Sequence, residues 1–216
     1  MFVPVREGTM DEQVHAYTQT DLLHEEQLRG EQRVNDIRAV ALIAFYAQHI
    51  ISFYYLQDNG ISPQFHRTVT LIVAAWFMAI FAIHHVLGRR WMPPYLKYGA
   101  ALWDLAMCGL LMALGDGPRS GLLILLPLIA AASAVRISLG LVWFSTLGAM
   151  LTYLVVLGHY AFIKVGASAY YNTAGMRIPR SQQLIVLIAI GAAGLLAGQA
   201  CRQARRLLQR TSGEGV

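Results

Sequence analysis

The chain has 216 residues, of which 56% are hydrophobic and only 13% charged, and its formal net charge at pH 7 is +5. Several apolar runs approach the roughly 20 residues that cross a bilayer core, which excludes an ordinary soluble domain. The length allows about six such runs and leaves no room for a separate catalytic domain. Because the runs are continuous rather than alternating, they predict helices and not barrel strands.

The first 36 residues are polar and hold eight of the twelve acidic residues of the chain. Their few apolar residues recur loosely at helical intervals, which favours a cytoplasmic amphipathic helix or linker. The stretch EEQLRGEQR is typical of a solvated linker helix, and we assign no chemistry to it. A polar start of this length also argues against a cleaved signal peptide.

Six apolar segments follow, and they predict an all-α membrane protein built as a bundle of six transmembrane helices. The predicted spans are 37–57, 68–88, 97–114, 121–138, 140–163 and 182–202. The sixth span is expected to continue as a basic cytoplasmic helix and tail. The predicted organisation is therefore an N-terminal segment 1–36, a transmembrane domain 37–202 and a C-terminal segment 203–216.

The distribution of Lys and Arg predicts the orientation of the bundle. With the N-terminus inside, twelve of the 17 Lys and Arg residues fall on inner segments and five on outer ones. Inner loops of membrane proteins carry the excess of basic residues, so both termini are expected in the cytoplasm. Since the basic residues cluster at span ends, they indicate topology rather than nucleic-acid binding.

Two ionisable residues lie within the apolar sequence of spans three and four. Asp104 is in AALWDLAMCGLLMAL, and Arg136 closes LLILLPLIAAASAVRI. The two spans are antiparallel, which brings both charges near the cytoplasmic face, and a charge inside a span usually faces the bundle or a partner. We expect a polar cluster or switch around Asp104, formed with Arg136 directly or with neighbours such as His84, His85 or Tyr98. The alternative is that Arg136 extends to the lipid headgroups.

Four residues in the outer halves of spans one and five could line a ligand pocket: His49, His159, Tyr46 and Tyr153. A haem or metal held between His49 and His159 would require two helices to supply one ligand each. No HxxxH or ExxH pair within the six predicted spans supports such a site, so no metal or cofactor is predicted. The histidines are more simply explained as hydrogen-bond partners between helices.

Span six carries a face of small residues formed by Gly191, Gly194 and Gly198. Such spacing allows another helix to approach closely, and that helix could belong to the same chain or to a second copy. The GxSxG, Walker A and HExxH patterns are absent, and the outer turn GDGPRS joins two spans rather than cradling a phosphate. The chain is therefore not expected to be an enzyme.

The layout resembles the six-helix membrane input region of bacterial sensor histidine kinases of the PilS type, and it is similar to the membrane anchors of some class III adenylate cyclases. The features that carry the resemblance are LWDLAM in span three, GDGPRSGLLILLP before span four, and AAASAVRISLG. The resemblance implies a bacterial inner-membrane protein whose sixth span passes a signal to a cytoplasmic domain. The kinase's phosphorylated histidine and ATP-binding motifs are missing here, so kinase activity is not implied.

Two functions from different classes follow from these patterns. The first is a sensory or regulatory module that lies in the lipid bilayer, passes a signal through span six, and acts as a homodimer or on a cytoplasmic signalling partner. The second is a small transporter or a lipid- or quinone-binding protein that uses Asp104. Few charges lie within the spans, and no paired broken helices occur in matching halves, which weighs against transport.

Overall fold

The computed structural model describes residues 10–55, 62–89, 93, 95–173 and 175–213, and within these ranges all regular structure is helical. Its α-helices are α1 (Met10–Tyr54), α2 (Pro63–Gly88), α3 (Leu96–Leu114), α4 (Leu125–Ala132), α5 (Leu139–Gly158), α6 (Ala167–Asn172) and α7 (Arg180–Gly213). Side chains are described for residue 25 and for most residues from 28 to 207.

Five of the described helices are long and apolar enough to cross a membrane, which indicates a multi-pass membrane protein. They are Leu28–Tyr54, Pro63–Gly88, Leu96–Leu114, Leu139–Lys164 and Arg180–Leu207. Large apolar side chains such as Leu71, Met78 and Phe81 are exposed on these helices, as expected for surfaces that face lipid. The predicted spans 97–114 and 140–163 agree with the helices to within a residue or two.

The first helix differs most from the sequence prediction. We predicted a polar segment up to residue 36 and a span from 37 onward, but α1 is one uninterrupted helix of 45 residues. Within α1 the residues Glu31, Val34 and Asn35 are already buried. Residues 1–9 lie outside the described ranges. Of the polar segment, the stretch 28–36 therefore belongs to the helix that enters the bundle.

The predicted fourth span, 121–138, is the one that lacks a long regular helix. The segment Gly121–Arg136 consists of a 3₁₀ turn of four residues, the eight residues of α4 and a second 3₁₀ turn of four residues. A 3₁₀ turn rises about 2.0 Å per residue and an α-helix about 1.5 Å, so the segment covers about 28 Å, close to the length of α3. The 3₁₀ turns thus let a short segment run the length of the bundle.

Contacts at its two ends show where this segment runs. Arg136 donates to the carbonyl oxygen of Lys97, near the start of α3. At the other end of the segment, Gly117 lies against the ring of Tyr160, and the Lys164 ammonium donates to the carbonyl oxygen of Gly115. The segment therefore connects two opposite ends of the bundle. We call the end with Lys97 and Arg136 the charged end, and the end with Gly115 and Tyr160 the histidine end.

The core lies along the middle of the bundle, where α5 packs against α3, α4 and α7, and α2 packs against α1 and α3. Its fully buried side chains include Cys108, Met112, Leu126, Tyr153 and Ile190. Both cysteines of the chain, Cys108 and Cys201, are buried and free. As predicted, α7 continues as a helix beyond the apolar span, through its basic residues to Gly213. The short helix α6, within the predicted loop 164–181, was not predicted.

Candidate functional site

Four charged side chains are buried together at the charged end, and we call Glu31, Arg38, Asp104 and Arg136 the charge cluster. Glu31 and Arg38 are two helical turns apart on one face of α1. Asp104 comes from α3, and Arg136 ends the second 3₁₀ turn. Glu31 is 0% exposed, Arg136 4% and Asp104 7%, so the charges compensate each other away from solvent.

Asp104 is fully engaged by neighbouring helices. Arg38 Nε lies 2.6 Å from Asp104 Oδ2, and Trp76 Nε1 of α2 donates to Asp104 Oδ1 at 3.1 Å. Charge-assisted hydrogen bonds of this kind are stronger than neutral ones. Both carboxylate oxygens of Asp104 therefore have a donor, and α1, α2 and α3 are joined at one point.

A second ion pair joins α1 to the end of span four. Arg136 Nε lies 2.8 Å from Glu31 Oε2, and Arg136 Nη1 donates to the carbonyl oxygen of Lys97 at 3.1 Å. Arg38 Nη1 is 3.7 Å from Glu31 Oε1, which connects the two pairs. The charge cluster is thus a chain of alternating charges in the order Asp104, Arg38, Glu31, Arg136.

The geometry of the second pair is less complete than that of the first. Both Glu31 carboxylate oxygens, together with Arg38 Nη1, Arg136 Nε and Arg136 Nη2, make no well-aligned hydrogen bond. Buried charges without full hydrogen bonding are costly, since each ion loses several kcal/mol of hydration. The cluster can therefore hold helices together, and its Glu31 half does so with fewer hydrogen bonds than its Asp104 half. No nucleophile takes part in it.

The sequence prediction of a polar cluster around Asp104 placed the right two residues in one region but gave them the wrong partners. Asp104 pairs with Arg38, and Arg136 pairs with Glu31. His84 and His85 are exposed on α2, and none of the described contacts of the charge cluster involves them. The two histidines are therefore not partners of Asp104 or Arg136 in the described contacts, and a part for them in a switch stays a prediction.

The sequence reading missed Glu31 and Arg38 because both lie in or beside a polar flank. A signal was nevertheless present in the spacing of α1. Glu31, Asn35, Leu42, His49 and Ser52 are all buried and follow a period of about 3.5 residues, which defines one helix face. On that face Asn35 Nδ2 donates to the carbonyl oxygen of Ile80 at 3.1 Å.

The turn that contains Arg136 is held by both helices that extend beyond the charged end. We call residues 133–138 the 133–138 turn. A Cβ at Gly30 of α1 would lie 2.9 Å from the carbonyl oxygen of Val135, so only glycine permits this approach. Arg205 Nε of α7 donates to the carbonyl oxygen of Ile137 at 3.0 Å. Ile137 has φ of 49°, a left-handed conformation that is strained for a β-branched residue.

A neutral polar contact occupies the histidine end. His49 Nε2 lies 3.1 Å from His66 Nδ1, and the ring of Phe53 stacks on His66 with centroids 4.1 Å apart. One turn along α1, the Tyr46 hydroxyl shares a hydrogen bond of 3.2 Å with Thr70. We call His49 and His66 the histidine pair. It joins α1 to α2 through rings and hydrogen bonds rather than formal charges.

The four residues predicted to line a ligand pocket divide between two helices. His49 and Tyr46 lie on α1 and contact α2, as described above. Tyr153 is fully buried on α5, His159 follows in its π-helical continuation, and neither Tyr153 Oη nor His159 Nδ1 has a hydrogen-bond partner. No described contact joins His49 to His159. In the described part of the chain, no three His, Cys, Asp or Glu residues are grouped to hold a metal ion.

The glycine face of α7 packs on α5 of the same chain. Among the described residues, the helix that approaches this face is therefore an internal one. A Cβ at Gly194 would collide with the side chain of Thr146, and one at Gly191 would lie 3.1 Å from Met150 Cε. Gly198 faces Leu139 at 3.7 Å. The Thr146 hydroxyl donates to the carbonyl oxygen of Val142 at 2.7 Å, so this polar group is satisfied within α5.

Comparison of the chain with known proteins finds no matching family model, no similar curated protein and no similar solved structure.

Proposed function

We propose that this chain is a sensory or regulatory module of the bacterial inner membrane, which receives a signal in its helix bundle and passes it through α7 to a cytoplasmic partner. The proposal includes six crossings, with the short segment 121–136 as one of them, and both termini in the cytoplasm. The likeness to the input region of PilS-type sensor kinases is part of this proposal and rests on the sequence motifs.

One observation carries the proposal: both helices that extend beyond the charged end are fastened to the same turn. Glu31 of α1 pairs with Arg136, and Arg205 of α7 donates to Ile137, the next residue. A movement of α1 that breaks the Glu31 contact therefore acts on Arg136, the residue next to the one that holds α7. A switch needs an element with two arrangements that a signal can bias.

The incomplete hydrogen bonding of Glu31 supports such a two-state element. A fully satisfied ion pair would resist rearrangement, whereas a buried pair with unmet donors and acceptors is only marginally favourable. The strained conformation of Ile137 acts in the same direction, because strain is released when the turn moves.

Spin labels on the exposed faces of α1 and α7 test the coupling directly. Labels at Arg33 and Gln203, in a chain with Cys108 and Cys201 replaced by serine, report the distance between the two exits. We expect Glu31→Gln to shift or broaden that distance distribution in bilayers. The matched control is Glu25→Gln, because Glu25 is on the same helix but its pair with Arg29 is exposed. Identical distributions for wild type and Glu31→Gln would refute the coupling.

The alternative function, a transporter that uses Asp104, gains no specific observation. Both oxygens of Asp104 are engaged by Arg38 and Trp76, so binding of a proton or cation there would have to displace a donor. Proton-coupled flux in liposomes that is lost in Asp104→Asn would favour the transporter over the module. The absence of flux in both forms would leave the module as the better proposal.

A further inference from the structure

A small cavity opens at the histidine end, where α7 begins. Its lining contains no residue of the charge cluster or of the histidine pair. Its volume is about 250 Å³, and it lies between the end of α5, the π-helical turn His159–Lys164, α6 and the start of α7. Its lining includes Leu154, Phe162, Tyr170, Arg177, Arg180 and Gln183. π-helical turns are rare and often occur where a binding site is formed.

The charge of the cavity is entirely positive. Arg177 and Arg180 both line it, and no acidic residue is part of its lining. Neither guanidinium makes a hydrogen bond or ion pair with another described residue, although arginine readily pairs with carboxylate or phosphate. Two neighbouring cations without an acidic partner favour an anionic ligand.

A buried hydroxyl adds a directed polar group. Tyr170 is 5% exposed, and its hydroxyl oxygen accepts from the backbone N–H of Ile178 at 3.4 Å and from Gln183 Nε2 at 3.5 Å. Since the oxygen accepts from both, its own proton remains available for a further acceptor. A phosphate oxygen in the cavity would provide that acceptor.

The remaining wall is apolar and continues onto the surface that faces lipid. Leu154 is 48% exposed and Phe162 62%, and both are next to the cavity. A soluble anion would gain nothing from these side chains, whereas an acyl chain would cover them. The volume suits a headgroup rather than a whole lipid, whose chains would lie outside along α5.

We propose that this cavity binds the phosphate-bearing headgroup of an anionic membrane lipid, with an acyl chain of that lipid along Leu154 and Phe162. Arg177 and Arg180 hold the phosphate, and Tyr170 donates to one of its oxygens. Because electrostatic attraction contributes, binding weakens as the salt concentration rises.

Titration of the purified full chain in zwitterionic micelles with short-chain phosphatidylglycerol, followed by its thermal unfolding, tests the site. We expect phosphatidylglycerol to raise the unfolding temperature more than phosphatidylcholine of the same chain length. In the variant Arg177→Gln/Arg180→Gln the apparent affinity should fall by roughly tenfold or more, because two charge-assisted contacts are lost. Arg177→Gln alone should give an intermediate loss.

The matched control is Arg67→Gln, an exposed arginine on α2 near the same end that does not line the cavity. Its affinity should stay within about twofold of wild type, since surface substitutions have small effects. Equal binding by the double variant and wild type, or equal effects of the two lipids, would overturn the proposal. Inorganic phosphate alone binding as tightly as the lipid would overturn the assignment to a lipid. Unfolding temperatures without added lipid show that each variant is folded.

Discussion

At the charged end α1 is held to the bundle by ion pairs, whereas at the histidine end the same helix is held by a neutral hydrogen bond and stacked rings. Both contacts use one face of α1, so the difference lies in chemistry and not in geometry. Removing one member of a buried ion pair leaves a charge without compensation, but removing one member of a neutral pair does not. A substitution at the charged end should therefore lower the free energy of unfolding more than a substitution at the histidine end.

The largest expected effect is that of Glu31→Gln. It leaves Arg136 buried with no acidic partner within ion-pair distance among the described residues, and loss of one buried partner typically costs about 3 to 5 kcal/mol. The free energy of unfolding in mixed micelles, followed by tryptophan fluorescence, measures the loss. Glu25→Gln on the same helix should change it by no more than about 0.5 kcal/mol, because that pair is exposed. A Glu31 effect as small as the control would show that the charges are not truly buried.

Asp104→Asn should cost somewhat less, about 2 to 3 kcal/mol, because Arg38 keeps Glu31 as a second acidic neighbour. The amide can still accept from Trp76 but no longer neutralises Arg38. The double variant Asp104→Asn/Arg38→Gln should recover part of the loss, and the non-additivity measures the coupling of the pair. Strictly additive losses would mean that the ion pair between Arg38 and Asp104 contributes nothing to the free energy of unfolding.

Gly194→Ala probes the middle of the bundle, between the two ends, and should cost about 1 to 3 kcal/mol by overpacking against Thr146. Thr146→Ala in the same chain should restore part of that stability, because it removes Oγ1 and Cγ2, the two closest atoms, and leaves Cβ at 2.9 Å. The lost Thr146 hydroxyl donates only within its own helix. Gly99→Ala in α3 is the control, since a Cβ there meets no atom within 4 Å apart from its chain neighbours and the local helix backbone. Failure of Thr146→Ala to rescue would place the clash elsewhere. The unfolding assay used for Glu31 measures all three.

The smallest effect is expected at the histidine end. His49→Leu removes one neutral hydrogen bond and should cost about 1 kcal/mol, because half-buried His66 can turn to other partners. His85→Leu, an exposed histidine on α2, should change stability by less than about 0.5 kcal/mol. If His49→Leu proved as damaging as Glu31→Gln, the contrast between the two ends would disappear.

The positions of most helices could be predicted from sequence because a continuous apolar run has few alternatives to a helix in a membrane. The third span was predicted at 97–114 and the helix is Leu96–Leu114. The start of α2 at Pro63 was missed, although Ser62 caps it by accepting from the Phe65 amide and proline suits the first helical turn. Cap residues extend a helix beyond its apolar run, and a hydropathy pattern does not register them.

The partners of Asp104 could not be predicted in the same way. Which arginine reaches a buried carboxylate depends on the rotation and depth of neighbouring helices, and the local sequence sets neither. Glu31 was interpreted as part of a solvated linker, and Arg38 as one of the basic residues at span ends that set the topology. Averaging hydropathy over a window hides a buried polar face. The spacing of residues on α1 could have indicated its buried face, but only if polar residues are accepted on the inner face of a helix.

Because α1 is one uninterrupted helix, a tilt at the charged end would move its N-terminal part as a rigid rod. From Met10 to Gly30 the helix is about 30 Å long, so a tilt of about 10° at the charged end would move Met10 by about 5 Å. A small displacement of α1 at Glu31 would therefore become a larger displacement at Met10.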